Sequence, residues 1–184
     1  MTTAHTQAAL RGALDCFDGK AVSLLSEAAA QWSDAPDYLD SLIALCGDDA
    51  PMVQSGASWL LLDHARQGGR LTEARLAALG SRLGGLQDWS GVLHVLQLLE
   101  YQPVPPDAVS PFADLARQYL DHDRPFLRAW SVSALCRLAT RHPRLLAEAE
   151  AAHSAALDDP AASVRARARK CAVPSPSNQQ ETAP

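Results

Sequence analysis

Isoleucine occurs once in this chain, at Ile43, and aromatic residues make up only 5% of its 184 positions. Pleated sheets select β-branched and aromatic side chains, so their scarcity excludes an extensive sheet. No run approaches the roughly 18 consecutive apolar residues that a membrane helix requires, so no membrane span is expected. The four cysteines, Cys16, Cys46, Cys136 and Cys171, contain no C-x-x-C pair. That spacing argues against a zinc ribbon or disulfide framework and fits small apolar residues in a reducing compartment. The opening MTTAHTQAALRGALD has neither the basic nor the apolar region of a secretion signal, so a cytoplasmic location is expected. Also missing are a G-x-S-x-G elbow, a glycine-rich phosphate loop and H-E-x-x-H. No catalytic residue, metal site or cofactor is therefore assigned, and a non-enzyme is expected. A net charge of −5 offers no general attraction to phosphate backbones or anionic lipid.

What the chain has in abundance is alanine (34) and leucine (27), both strong helix formers. Its charge is uneven: residues 1–92 hold 11 acids and 6 bases, residues 93–184 hold 10 of each. The last bases cluster at Arg165, Arg167, Arg169 and Lys170.

Superposing the chain on itself brings out a period of 37 residues. Val53, Ser90, Leu127 and Val164 share one register position. Four residues later come Ala57, His94, Ser131 and Ala168, and eight later Leu61, Leu98, Leu135 and Ala172. Offsets of 0, 4, 8 and 11 lie on one face of a helix. Helix-start chemistry recurs as well. Asp49-Ala-Pro51 and Asp123-Arg-Pro125 place an aspartate to cap free N–H groups and a proline in the first turn, where its missing donor costs nothing. Asp159-Pro160 repeats the arrangement one residue out of that register. A partner helix precedes each of these, at Tyr38–Leu45, Leu71–Leu83, Phe112–Leu120 and Leu145–Ala152. The expected organisation is a single domain over residues 1–172. Residues 1–31 form a divergent leading repeat and 34–172 hold four repeats. A disordered proline-rich tail is expected at 173–184.

Asp123-Arg-Pro-Phe-Leu-Arg-Ala-Trp-Ser-Val-Ser-Ala-Leu and Ser163-Val-Arg-Ala-Arg-Ala resemble the second helix of HEAT repeats. Asp123, Leu127, Arg128, Ala134 and Leu135 match that family's pattern, and Val164, Arg165 and Ala168 match it again. Gln54 and Gly91 stand where it would have arginine. The resemblance implies an all-α, right-handed α–α superhelix of about five helix pairs, its second helices lining a concave face. It also implies aspartate–arginine ladders, here an Asp123–Arg128 contact and Arg165 reaching back to the third repeat.

Within such a build, offsets 2, 6 and 9 of each second helix point away from the first-helix layer. That predicts an apolar strip containing Ser55, Trp59, Leu62, Val92, Leu96, Leu99, Ala129, Ser133 and Cys136, flanked by Trp130. The binding-face candidates are Trp59, Leu62, Leu96 and Trp130 as apolar contacts with Asp63, Ser133 and Arg137 beside them. The expected function is a non-catalytic scaffold that takes a protein partner on this face. The alternative is a DNA-handling solenoid resembling alkylpurine glycosylases, with nucleic acid bound through the basic C-terminal repeats. Trp32 and Trp89 are expected over seams between repeats. Arg165 to Lys170, with no aromatic residue nearby in the sequence, reads as a polar end cap. Glu150–His153 and Asp121-His122-Asp123 are too short to define a metal or acid–base site, the two aspartates being explained by capping, and His64 and His94 fall at packing positions.

Overall fold

The computed structural model describes residues 3–172; the tail expected at 173–184 lies outside them. Among the described residues all regular structure is helical. The helices are α1 (Thr3–Asp15), α2 (Val22–Trp32), α3 (Tyr38–Leu45), α4 (Pro51–Arg66), α5 (Glu73–Gly80), α6 (Trp89–Leu98), α7 (Val109–Gln118), α8 (Pro125–Ala139), α9 (Leu146–Leu157) and α10 (Ala162–Ala168). None is long and apolar enough to cross a membrane. The helices α3 to α10 fall where the 37-residue period places them, α4, α6, α8 and α10 being the second helices.

Pro51 and Pro125 open α4 and α8 as expected, but no side chain caps either helix, Asp49 and Asp123 included. The side chain one residue earlier instead fixes the turn into the helix, by bonding the amide of the N-cap residue. Asp48 Oδ1 accepts from the Ala50 amide at 2.9 Å, His122 Nδ1 from Arg124 at 3.0 Å, and Asp159 Oδ1 from Ala161 at 2.7 Å. Positions 48, 122 and 159 are separated by multiples of 37, so Asp159 is in register after all. Only α6 departs: Asp88 is its N-cap and accepts from the Gly91 amide at 2.8 Å.

The chain divides into two compact units, Met1–Phe112 and Ala113–Pro184, the division falling within α7. In the first, α4 packs against α1, α2, α3 and α6, and α3 also meets α1 and α5. In the second, α8, α9 and α10 pack on one another. A helix held on so many sides is buried nearly all round. Ten residues of α4 are buried, Gln54, Ser55 and Ser58 among them, and ten of α8. Small residues permit this closeness: a Cβ on Gly56 would lie 2.9 Å from Leu14 Cδ2.

Polar bonds tie successive helix pairs together. In the second unit, Arg128 Nη1 donates to the carbonyls of His122 (2.7 Å) and Asp123 (3.2 Å), while Nε and Nη2 grip the Asp159 carboxylate at 2.8 and 2.9 Å. The Asp123–Arg128 contact thus exists, through the Asp123 carbonyl; the carboxylate partner is Asp159. Gln54, at Arg128's register position, does the corresponding work without charge. Its amide nitrogen donates to Asp48 O and Gly85 O (2.7 and 2.8 Å), and its oxygen accepts from the amides of Gln87 and Asp88 (2.9 and 3.1 Å). First helices are tied likewise, Arg75 to Asp40 in the first unit and Arg117 to Glu148 in the second.

A candidate docking groove between α8 and α10

Burial of the second helices on several sides decides which of their residues face water. Leu62 and Leu96 are 1% and 0% exposed and cannot touch a partner, and Ser133 is buried at 4%. Ser55, Val92, Leu99, Ala129 and Cys136, the rest of the expected strip, are buried too. Of offsets 2, 6 and 9 in α4, α6 and α8, only Trp59 keeps partial exposure. Round α8 the accessible line runs about one residue further on, a rotation of ~100°. In α8 it comprises Phe126, Trp130 and Arg137, at offsets −1, 3 and 10; in α10, Ser163, Arg167 and Lys170, at −1, 3 and 6. In α4 and α8 the strip was misplaced because the next second helix, α6 or α10, packs over that side.

In the second unit this line borders a groove of about 290 Å³ lined by Phe126, Ala129, Trp130, Ser163, Ala166, Arg167 and Lys170. Phe126, one residue into α8, is 61% exposed, the most of any large apolar side chain among the described residues. One turn on, Trp130 lies under the Arg167 guanidinium, whose carbon is 3.5 Å from the ring centroid. Cation–π attraction favours that stack. Arg167 Nε and Nη2 also donate to Ser133 Oγ at 3.1 and 2.9 Å. The buried Ser133 therefore holds Arg167 in place. Lys170, one turn further, is exposed, and among the described residues no carboxylate lines the groove. The Arg165–Lys170 run thus does have an aromatic neighbour, brought from α8, which the sequence spacing of 37 between Trp130 and Arg167 hides.

The run's other arginine behaves differently from expectation. Arg165 Nη1 donates to the carbonyls of Asp159 (2.6 Å) and Pro160 (2.9 Å), within its own repeat. It is Arg167, not Arg165, that reaches back to the third repeat.

The remaining candidates are scattered. In the first unit Asp63, half-buried, accepts from Gln67 Nε2 at 2.6 Å on the last turn of α4, and Trp59 sits one turn earlier. Trp89, expected over a seam, is 42% exposed at the first position of α6. His94 does sit in a seam, its Nδ1 3.1 Å from Ser58 Oγ of α4. Burial pushes its pKa down to about 4, so the ring is neutral near pH 7. His64 is half-buried and its Nε2 packs over Gly69 with no hydrogen-bond partner. In the second unit a hollow of about 510 Å³ is lined by Asp121, His122, Asp123, Asp158 and the Arg128–Asp159 pair. His122 and Asp159 are committed to the turns into α8 and α10, and Asp121 and Asp123 are exposed without the capping role assigned to them. His153 Nε2 lies 3.0 Å from Ala168 O, tying α9 to α10. Among the described residues no group of three or more His, Cys, Asp or Glu is arranged to hold a metal ion. Cys46 is buried and its thiol is pushed up to about 12, which keeps it protonated and unreactive. Comparison of the chain with protein-family models, with curated proteins and with solved structures finds no match.

Proposed function

We propose that this chain is a non-catalytic protein-interaction module of HEAT-like build, whose second unit takes a partner segment in the groove between α8 and α10. The single observation that carries this reading is Phe126, 61% exposed beside the Trp130–Arg167 stack. An exposed aromatic next to a fixed cation is the composition of an interface anchor, where Trp, Tyr, Phe and Arg are enriched. With Arg167 and Lys170 lining the groove and no acid among its described lining residues, the favoured segment carries carboxylates around an apolar side chain. The period, the Arg128–Asp159 rung and its uncharged counterpart at Gln54 support the HEAT-like build. A displayed-peptide selection against the full chain tests the function. Acidic peptides with an apolar anchor are expected to be enriched and to lose roughly tenfold or more in affinity on W130A or F126S, the scale of an interface hot spot. Enrichment of peptides that bind both variants as well as the native chain would refute the groove.

Nucleic-acid binding is a second reading, favoured by the same Trp130–Arg167 stack beside Lys170, since base stacking and backbone charge need such a pair. Anisotropy of a labelled single strand separates the two. Binding that weakens steeply with salt and vanishes in K170E supports it, and no binding at low salt sinks it.

A further inference from the structure

The ladder that joins helix pairs is left half-made at two places. A complete rung has an acceptor half and a donor half. The acceptor is an aspartate fixed by an amide two residues ahead: Asp48 by Ala50, Asp159 by Ala161. The donor is an arginine of an earlier helix that offers Nε and Nη2 together. Arg11 grips Asp48 in this way at 2.8 and 3.2 Å, and Arg128 grips Asp159 at 2.8 and 2.9 Å.

Asp18 is an acceptor half with no donor among the described residues. Its Oδ1 accepts from the amides of Lys20 and Ala21, both at 2.8 Å, a turn that shares the amide two residues ahead with Asp48 and Asp159 and adds the one three ahead, and the side chain is exposed. Arg165 is a donor half with no acceptor among them. It follows Arg128 by 37 residues and is anchored as Arg128 is: Nη1 takes the carbonyls six and five residues back, Asp159 and Pro160, where Arg128 takes His122 and Asp123. In Arg128 that anchoring turns Nε and Nη2 toward the next aspartate. In Arg165 the same edge meets no described carboxylate. A guanidinium already held through Nη1 loses little freedom on binding, and the fork suits a bidentate carboxylate.

The surroundings of the two halves complement each other. Along the chain, the exposed acids Asp15 and Glu27 stand within nine residues of Asp18, with Lys20 as the base not already paired, Arg11 being held by Asp48; the exposed Arg169 and Lys170 follow Arg165 by four and five residues, with Asp158 seven before it. We propose that Arg165 and Asp18 are the two halves of one further rung, completed between copies of this chain, so that the protein associates head to tail. Such a contact uses different surfaces on the two copies. Unless its rotation closes a ring, it adds copies without limit rather than stopping at a dimer.

The test is sedimentation velocity of the full chain over about 1 μM to 1 mM, the range in which a weak contact dissociates. The native chain is expected to gain mass continuously with concentration, and R165E and D18K each to remain monomeric. D18N, which keeps the turn but loses the charge, is expected to dissociate roughly 10- to 100-fold more readily, the range of a charge-assisted hydrogen-bond pair. Mixing R165E with D18K is the decisive arm. Arg165 of the D18K copy can then pair with Asp18 of the R165E copy, and the two substituted positions are opposite in charge as well, so the mixture should regain the association that neither variant shows alone. Circular dichroism checks the fold, and R165Q, whose amide can still reach the two carbonyls, replaces R165E if that variant unfolds. A native chain monomeric throughout, association untouched by either substitution, or a mixture that stays monomeric would each overturn the proposal.

Discussion

Replacing Arg128 with alanine removes four hydrogen bonds at once. Two go to the Asp159 carboxylate and two to the carbonyls of His122 and Asp123. The pair is mostly buried, with 15% and 12% of the two side chains exposed. Hydrogen bonds to charged groups contribute about 1.5–3 kcal/mol, and stripping the partner from a buried charge costs about 3–5 kcal/mol. The hollow of about 510 Å³ beside the pair admits water to the orphaned groups, which pulls the cost below the upper figure. R128A is therefore expected to destabilise the second unit by about 2–3 kcal/mol. D159N keeps an oxygen for the Ala161 amide and loses only the charge, so about 1–2 kcal/mol is expected. The double variant should cost less than the sum, with a coupling of about 1–2 kcal/mol. Arg128 and the Ala161 amide hold the Asp159 pKa below the usual carboxylate value. Its contribution is thus fully present above the unfolded pKa of about 3.9 and is lost as pH falls through the lower native value. Urea unfolding followed by circular dichroism gives the energies, and hydrogen exchange should place the lost protection at residues 120–168. Additive single effects below about 0.5 kcal/mol would mean that this rung is an ornamental surface ion pair, and the reasoning would fail.

Three further outcomes follow from the same geometry. Q54R installs the residue that the HEAT pattern favours, yet it should destabilise by about 2 kcal/mol in urea. The Gln87 and Asp88 amides lose their acceptor, and Gly85 offers no carboxylate at the place where Asp159 serves Arg128. Burial of His94 sets its native pKa at about 4, below the unfolded value of about 6.5, so the unfolded chain binds the extra proton between them. Stability should fall as pH drops through that window, by at most roughly 3 kcal/mol, and H94Q should flatten this part of a urea-midpoint profile. G69A would put a Cβ 2.2 Å from His64 Nε2, forcing the ring out, and should cost about 1–3 kcal/mol in thermal unfolding, largely recovered in H64A/G69A.

The groove and the half-made ladder show why some features are legible in sequence and others are not. Trp130 and Arg137 were found because a helix displays its residues in a fixed order, so offsets alone place them near the accessible line. Leu62 and Leu96 were misassigned because the direction of a side chain round a helix is local, whereas the neighbour that covers it is not. Phe126 was passed over since, in sequence, an apolar residue after a first-turn proline looks like a core residue. Its exposure follows from its sitting at the start of α8, outside the helix contacts. Arg167 drew attention only as one base in a run. Nothing in the alternation of arginine and alanine tells which member lies over Trp130 and which anchors to its own turn.

What the sequence by itself determined was the all-helical class, the 37-residue spacing and the starts of α4 and α8. These depend on alanine and leucine content, on periodicity and on proline, all acting within a few residues. What only the tertiary structure decided was the use of each polar residue. The turns into α4, α8 and α10 are fixed by Asp48, His122 and Asp159 rather than capped by Asp49 and Asp123, and Gln54 took over an arginine's bonds. The physical reason is that a buried donor or acceptor must find a partner wherever packing brings one. Packing brings residues about 31 to 37 positions apart into contact, beyond the reach of any local rule.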